Sequence, residues 1–357
     1  MSQLSPATNN EVRESLFAGP LIPAHPLALN SARKLDERRQ RALARYYFSA
    51  GAGGLAVGVH TTQFAIREPQ YGLLRPVLEL AQDVAREFSD RRPLMIAGIC
   101  GLTQQAVQEA ELATSLDYQA GLLSLGAWSN RVDDDLLAHA QHVSQAIPLI
   151  GFYLQPSVGG RRLGFQFWER FCQIPNVLAI KVAPFNRYQT LDVVRALHAS
   201  GRAGEIALLT GNDDSIVVDL MADYRLNESQ PETVRFSGGL LGHWACWTHA
   251  SVAWFERLKL ARASNFKDES LSELMVLAHQ VTDMNAAIFD AANDYRGCIA
   301  GIHEVLRRQG LLDGTWCLDA REQLSPGQAD EITRVCASYP HLIDDEFVRD
   351  NLQQWLQ

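Results

Sequence analysis

Short apolar runs alternate with helical segments through the first 240 residues of the chain, and this alternation restricts the possible folds more than any other feature of the sequence. Each run is rich in Val, Ile and Leu and reads as a buried strand. Segments with the apolar period of a helix fill the intervals between the runs. The predicted strands cover residues 17–24, 55–59, 93–99, 121–126, 147–153, 177–181, 206–210 and 234–238.

Eight successive strand and helix units predict an α/β fold, a closed (β/α)8 TIM barrel, over residues 17–250. A doubly wound open sheet is the alternative, but that fold needs a glycine-rich phosphate-binding fingerprint near its first turn, and the sequence has none there. Beyond residue 250 only helical periodicity remains, which predicts a C-terminal helical region over residues 251–357. The polar residues 1–16 are expected to form a flexible N-terminal extension.

Composition and charge narrow the classes of partner. The chain has 357 residues with a net charge of −9, and it lacks the basic patch that nucleic-acid binding requires. Its apolar runs are too short to span a bilayer, so we expect no membrane partner. The six cysteines are scattered without zinc-type spacing and read as reduced thiols, and the start of the chain lacks a secretory signal pattern. These features predict a cytoplasmic protein.

The sixth predicted strand ends on a lysine, Lys181, although lysine is rare in this chain. The other three lysines are Lys34, Lys259 and Lys267, and arginine carries most of the positive charge. A lysine at the end of a buried strand is costly unless it is paired, or unless burial lowers its pKa so that it stays a neutral amine. A neutral amine is a nucleophile. The alternative is an ammonium group that reaches solvent or pairs with a carboxylate.

Active sites of TIM barrels lie at the carboxyl ends of the strands, so the polar and small residues found there are the candidates. A lysine amine condenses with the ketone of a 2-oxo acid, and the resulting iminium accepts electrons during C–C cleavage. A phenol can transfer protons, and hydroxyl groups with backbone N–H groups can hold the carboxylate. The predicted catalytic residues are Lys181 and Tyr153, and the predicted substrate-binding residues are His60, Thr61, Thr62, Gly211 and Gly239.

Four segments together resemble one family of enzymes. They are residues 54–62, which end in Thr61-Thr62, residues 152–157, which contain Tyr-x-x-Pro, residues 174–181, which contain Pro-Asn-x-x-x-Ile-Lys, and residues 209–214. At these spacings the chain is similar to the dihydrodipicolinate synthase and N-acetylneuraminate lyase family of class I aldolase-type barrels. The similarity runs from about Phe17 to the C-terminus.

The resemblance implies a lyase in which Lys181 forms a Schiff base with pyruvate or a keto-deoxy sugar acid. Tyr153 would be the proton-relay phenol, and Thr61 with Thr62 would bind the carboxylate. The covalent bond to Lys181 takes the place of a cofactor, and no metal is implied. Members are usually homo-oligomers, which implies a dimer or a tetramer here. A dehydratase or hydratase-aldolase acting on a related 2-oxo acid would use the same residues and stays open.

The chain departs from the family pattern at three places. Gln63-Phe64 stands where the family has Gly-Glu, Trp128-Ser129 stands where synthases have a tyrosine, and Val158 stands where synthases have an arginine. These changes argue against a role in lysine biosynthesis. The size of the replacing side chains favours a larger or less polar acceptor than an amino-acid semialdehyde.

Two further classes of function remain as alternatives. A metal-dependent barrel would use His60, Asp213, Asp214 and His243, which follow predicted strands. Asp213 and Asp214 suit a helix N-cap equally well. A catalytically silent barrel would have kept the lysine while its supporting residues changed.

Overall fold

The computed structural model describes residues 8–88, 90–227, 233–267 and 270–357. Its strands are β1 (Leu21–Pro23), β2 (Gly54–Val57), β3 (Leu94–Ile99), β4 (Ala120–Leu123), β5 (Leu149–Leu154), β6 (Val177–Ala183), β7 (Ala207–Thr210), β8 (Tyr224–Arg225), β9 (Thr233–Val234) and β10 (Phe236–Leu241). Its helices are α1 (Asn9–Phe17), α2 (Glu37–Ser49), α3 (Leu74–Glu87), α4 (Thr103–Ser115), α5 (Asp133–Val143), α6 (Phe165–Phe171), α7 (Arg187–Ala199), α8 (Ile216–Met221), α9 (Thr248–Ala263), α10 (Leu271–Ile288), α11 (Cys298–Arg308), α12 (Gln328–Ser338) and α13 (Asp345–Trp355).

The fold is a (β/α)8 barrel, as predicted. Eight strands belong to one sheet in the order β1-β10-β7-β6-β5-β4-β3-β2, and β8 pairs with β9 in a separate antiparallel ribbon. Every residue of β3 and β6 is buried, which explains why these strands read as continuous apolar runs without polar alternation. Across the described ranges, no helix is long and apolar enough to cross a membrane.

Part of the predicted N-terminal extension, residues 1–16, is helical. Residues 9–16 lie in helix α1, while residues 1–7 fall outside the described part of the chain. Thr8 and Glu11 form a reciprocal capping box that satisfies N–H groups of the first turn. Val12 and Leu16 are buried, so the helix has an apolar face that holds it on the protein.

The compact units of the chain are not continuous in sequence. The chain separates into two compact units, the first made of Met1–Pro20, Leu94–Asn212 and Ala222–Gly239, and the second of Leu21–Pro93, Asp213–Met221 and Leu240–Gln357, as far as these ranges are described. The predicted boundary at residue 250 falls inside helix α9. The first unit therefore holds Lys181 and Tyr153, and the second holds the Thr61-Thr62 turn together with the C-terminal helices.

In the second unit, a buried carboxylate ties the start of α13 to α2 and α9. Asp344 Oδ2 accepts hydrogen bonds from the Tyr46 hydroxyl at 2.7 Å and from the His249 N–H at 2.9 Å, and Asp344 Oδ1 accepts one from Gln309 Nε2 at 2.8 Å. Burial raises the pKa of Asp344, and its hydrogen bonds oppose that rise. Three donors compensate the loss of water at this carboxylate, which makes the C-terminal helices part of the core of this unit.

Candidate active site

Lys181 lies within a strand rather than at its end. Strand β6 continues to Ala183, two residues beyond the predicted end, and only 8% of Lys181 is exposed. Its register partners are Phe152 on β5 and Leu209 on β7, and Leu209 in turn pairs with Gly238 on β10. Residues paired across a parallel sheet project from the same face, so these four residues form one row.

The face that carries this row points away from the helices. Gly151 precedes Phe152 and projects from the opposite face, where an added Cβ would lie 2.6 Å from the Phe171 ring and 3.2 Å from Trp168, both in α6. Phe152 and Lys181 therefore project from the other face, which in a barrel is the interior. This is the position that a catalytic strand residue needs.

Two contacts place the Lys181 side chain. Its Nζ lies 4.5 Å from the centroid of the Phe152 ring, a cation–π distance. At Gly211, an added Cβ would lie 2.7 Å from Lys181 Cε and 2.8 Å from Ala183 Cβ. Gly211, a predicted substrate-binding residue, has no side chain, which leaves room for Lys181.

Tyr153 lies on the face opposite Lys181. It follows Phe152 by one residue, and its ring packs 5.4 Å from that of Trp168 in α6. Its hydroxyl donates to Gln189 Oε1 at 2.9 Å and accepts the Leu163 N–H at 3.2 Å. Burial raises the pKa of the phenol, and the Leu163 N–H opposes the rise. The structure thus directs the predicted relay group toward α6 and α7.

The predicted backbone donors at the glycines are already used within the sheet. The N–H of Gly211 donates to the Val182 carbonyl at 2.8 Å, and that of Gly239 donates to the Pro20 carbonyl at 3.2 Å. Gly239 pairs with Thr210 and so lies off the row of Lys181, whereas its neighbour Gly238 lies on it. A substrate contact at Gly239 would require its N–H to leave the sheet.

In the second unit, Thr61 and Thr62 lie in a 3₁₀ turn, His60–Thr62, directly after β2. Both hydroxyls donate to the His25 carbonyl, at 3.2 Å from Thr61 and 2.6 Å from Thr62. The Thr62 hydroxyl also accepts the N–H groups of Gly58 and Val59. Thr62 therefore stabilises the turn itself, and both threonines are buried.

Gln63 and Phe64, one of the departures from the family pattern, change the shape of this loop. Gln63 has a φ of 67°, a conformation that is strained for any residue other than glycine. Its Oε1 accepts the Leu318 N–H at 2.6 Å, and the Phe64 ring lies 5.9 Å from that of His60. The C-terminal segment near Leu318 thus holds the loop that carries the threonine pair.

The other two departures lie in the first unit. The Trp128 ring packs at a tilt against that of His139, with 4.8 Å between their centroids, and the Trp128 carbonyl accepts a hydrogen bond from Arg161 at 2.6 Å. Arg161 follows the short turn Pro156–Val158 and also donates to the Arg131 carbonyl at 2.9 Å. This arginine therefore holds the loop after β4, and it does not replace the arginine whose place Val158 takes.

The residues of the metal alternative have other partners. Asp213 Oδ1 accepts the His243 N–H at 3.0 Å, and His243 Nδ1 lies 2.6 Å from Asn285 Oδ1. Burial lowers the pKa of His243 to about 4, and the hydrogen bond with Asn285 opposes this. Among the described residues, no group of three or more His, Cys, Asp or Glu side chains is arranged to hold a metal ion.

Sequence reasoning missed Phe152 as a member of the site, because Tyr153 beside it fits the family motif. The pairing register of β5 with β6, in which Phe152 is the partner of Lys181, supplies that information.

The fold and the position of Lys181 define a class of protein, the (β/α)8 barrels, with an interior lysine on the sixth strand in this chain. Solved structures with a similar fold include members of the family that the sequence resembles. A prophage protein of the dihydrodipicolinic acid synthase family from E. coli K12, solved in complex with pyruvate, has 14% identity and a TM-score of 0.73, over 91% of this chain and 99% of that one. Dihydrodipicolinate synthase from Oceanobacillus iheyensis has 14% identity and a TM-score of 0.71, over 93% and 99%. N-acetylneuraminate lyase from Fusobacterium nucleatum has 16% identity and a TM-score of 0.70, over 90% and 99%.

The predicted resemblance is therefore confirmed at the level of the fold, over most of the chain. No family model and no curated protein sequence matches the chain. A shared fold does not specify a shared activity, so the function is argued from the residues of the site.

Proposed function

We propose that the chain is a lyase that forms a Schiff base between Lys181 and a 2-oxo acid. One observation carries the proposal. A buried lysine amine projects from the interior face of β6, over the Phe152 ring and in space that Gly211 leaves open. The fold shared with synthases and lyases, one of them solved with pyruvate, supports the same chemistry.

The proposed reaction begins when the neutral Nζ of Lys181 attacks the ketone carbon. The carbinolamine takes up a proton and loses water, which leaves an iminium. In the cleavage direction, a base removes the proton of the hydroxyl at C4, a C4 carbonyl forms, and the electrons of the C3–C4 bond pass to the iminium. The resulting enamine takes a proton at C3, and hydrolysis then releases pyruvate and Lys181. Metals and organic cofactors have no part in this scheme.

The supporting residues have proposed roles that follow from their present partners. Thr61 binds the substrate carboxylate when its hydroxyl turns away from the His25 carbonyl. Thr62 keeps the turn in shape, and His60 is the first residue of that turn. By the resemblance, Tyr153 transfers the proton at C3. This role requires the side chain to leave Gln189 and turn from the helix side of β5 to the interior face that carries Lys181. Gly211 leaves space for Lys181 rather than donating a hydrogen bond, whereas Gly239 lies off the row of Lys181 with its N–H bonded to the Pro20 carbonyl.

The experiment that tests the Schiff base is reduction with borohydride in the presence of pyruvate, followed by the mass of the intact protein. We expect one pyruvate on the wild type and none on Lys181→Ala. Lys259→Ala is a matched control, because Lys259 Nζ also lies over a phenylalanine ring, at 5.2 Å from Phe255, but in helix α9. This control should be labelled like the wild type. Labelling of Lys181→Ala, or no label on the wild type even with longer 2-oxo acids, would contradict the proposal.

A barrel that binds a 2-oxo acid without turning it over is the second candidate. The observation in its favour is that the hydroxyls of Thr62 and Tyr153 and the N–H groups of Gly211 and Gly239 all have partners within the fold. Deuterium exchange at C3 of pyruvate separates the two candidates, because it requires the enamine but no second substrate. Trapping without exchange would favour the silent barrel.

Two further properties implied by the resemblance, dehydration chemistry and oligomeric state, are part of this proposal. Dehydration of a deoxy sugar acid would proceed through the same iminium and differs in the group that leaves. A homo-oligomer, dimer or tetramer, is proposed from the resemblance, and light scattering after gel filtration measures it directly.

A further inference from the structure

The side chains next to Lys181 in the first unit form the surface that a bound substrate would contact. Phe152 and Leu209 flank the lysine on the neighbouring strands. Toward the carboxyl ends of the strands, the next positions on the same face are Leu154, Ala183 and Gly211. All of these groups are hydrocarbon, and Phe152 and Ala183 are more than nine-tenths buried.

A Schiff base would bring the substrate chain into this surface. The iminium carbon is one bond from Nζ, which lies 4.5 Å from the centre of the Phe152 ring. Groups two or three bonds further along the substrate are therefore within reach of the Phe152 ring. Hydroxyl groups buried against hydrocarbon lose hydrogen bonds to water without replacement, whereas an apolar group gains from the same burial.

We propose that the substrate is a 2-oxo acid with an apolar, preferably aromatic, group on its carbon chain, and that Phe152 selects it. The inference rests on the Schiff base at Lys181 and names the substrate class of that site. Ring-to-ring contact with Phe152 favours an aromatic group over an alkyl group of similar size. Among the departures from the family pattern in the first unit, Val158 replaces a charged residue with an apolar one, which points the same way.

The test compares three acids in the borohydride reaction: pyruvate, 4-phenyl-2-oxobutanoate and 2-keto-3-deoxygluconate, a polyhydroxylated acid. For each acid, the concentration that gives half-maximal labelling of Lys181 is measured. We expect the phenyl acid to reach it at a concentration at least about ten-fold lower than the polyhydroxylated acid. Equal values, or a preference for the polyhydroxylated acid, would overturn the inference and leave the Schiff base standing.

Variants at Phe152 test which residue selects the substrate. Phe152→Asn should reduce the preference for the phenyl acid by roughly ten-fold, and Phe152→Leu should reduce it by about three-fold, because leucine keeps the apolar surface but not the ring. The matched control is Phe165→Asn in α6, where a phenylalanine ring lies 5.3 Å from the Arg195 guanidinium. This control should keep the wild-type preference, and an unchanged preference in Phe152→Asn would overturn the role of Phe152.

Labelling by pyruvate distinguishes a failure of the proposed substrate class from a failure of the proposed Schiff base. If pyruvate labels Lys181 while the larger acids show no preference, only the substrate class is wrong. If none of the three acids labels the wild type, the Schiff base is wrong and the inference falls with it. The comparison of acids uses the wild-type protein, so a poorly folded variant does not affect it.

Discussion

The missing side chain at Gly211 determines where the Lys181 amine can lie. A methyl group there would approach both Lys181 Cε and Ala183 Cβ to less than 3 Å, so the lysine would have to move. Its amine would then leave its place over the Phe152 ring. A shift of about 1 Å in a reacting group is enough to lower a rate by roughly a hundred-fold.

We therefore predict that Gly211→Ala lowers the rate of pyruvate labelling at Lys181 by about a hundred-fold. Overpacking should also lower the free energy of unfolding by about 1–3 kcal/mol. Gly204→Ala is the control, because nothing lies within 4 Å of an added Cβ at that residue. Quenched borohydride time courses and urea titrations measure the two effects. Normal labelling in Gly211→Ala would show that the lysine has room to spare.

At the residue scale, the sequence predicts which residue types meet at the site better than what each one does. Lys181 could be found because a cation at a buried apolar run is rare in this chain. The role of Gly211 as a spacer could not be found, because it depends on the distance between strands β6 and β7. The structural role of the Thr62 hydroxyl could not be found either, because its hydrogen bond goes to the carbonyl of His25, which is distant in sequence.

At the element scale, strand β5 determines the direction in which Tyr153 points. The register with β6 shifts between Leu149 and Ile150, and beyond that shift Phe152 is the residue that pairs with Lys181. Such an irregularity has no clear signature in a buried apolar run, so a motif can place Tyr153 on the strand next to that of Lys181 but not on the same face of the sheet.

We predict that Tyr153→Phe keeps pyruvate labelling at Lys181 but lowers deuterium exchange at C3 of pyruvate by at least about a hundred-fold, because the phenol transfers that proton. Nuclear magnetic resonance of pyruvate in deuterated water measures the exchange. Tyr118→Phe, which alters another buried tyrosine of the first unit, should leave it unchanged. If Tyr153→Phe retains the exchange, the role of Tyr153 is structural, through its packing against Trp168 and its hydrogen bond to Gln189.

Most elements could be predicted because burial on both faces makes each strand a short apolar run, and because helices keep their apolar period. Helix α1 was missed although Thr8 and Glu11 have the spacing of a capping box. Its polar composition concealed the two buried positions, Val12 and Leu16. Helix α13 lies within the helical region predicted over residues 251–357. Few of its residues are buried, and its attachment runs through Asp344 before it.

At the scale of the whole molecule, buried histidines make stability depend on pH. Burial lowers the pKa to about 3 at His25 and to about 4 at His243 and His303. These values lie below that of an unfolded chain, about 6.5, so the unfolded state binds more protons as the pH falls. The neutral histidines contribute fully to stability above pH 6.5, and this contribution is lost as the pH falls toward their pKa values in the folded protein.

We predict that the free energy of unfolding falls between pH 7 and pH 5, with a slope of up to about 1.4 kcal/mol per pH unit for each of these histidines. His303→Gln should reduce this slope by the contribution of one histidine. The reduction is independent of any change that the substitution makes in the free energy of unfolding at pH 7. Urea midpoints at several pH values give the slope, with His142→Gln on the exposed side of α5 as the control. An unchanged slope in His303→Gln would assign the pH dependence to other groups.

The hydrogen bonds from Thr61 and Thr62 to the His25 carbonyl have a consequence for anyone who would rebuild this protein. The loop after β2 is shaped by a carbonyl that lies 36 and 37 residues earlier in the chain, and by the Leu318 N–H from the C-terminal region. A loop transplanted from another barrel would arrive without either anchor. Exchange of the loop therefore has to carry residues near His25 and Leu318 with it, or the grafted threonines will not keep their geometry.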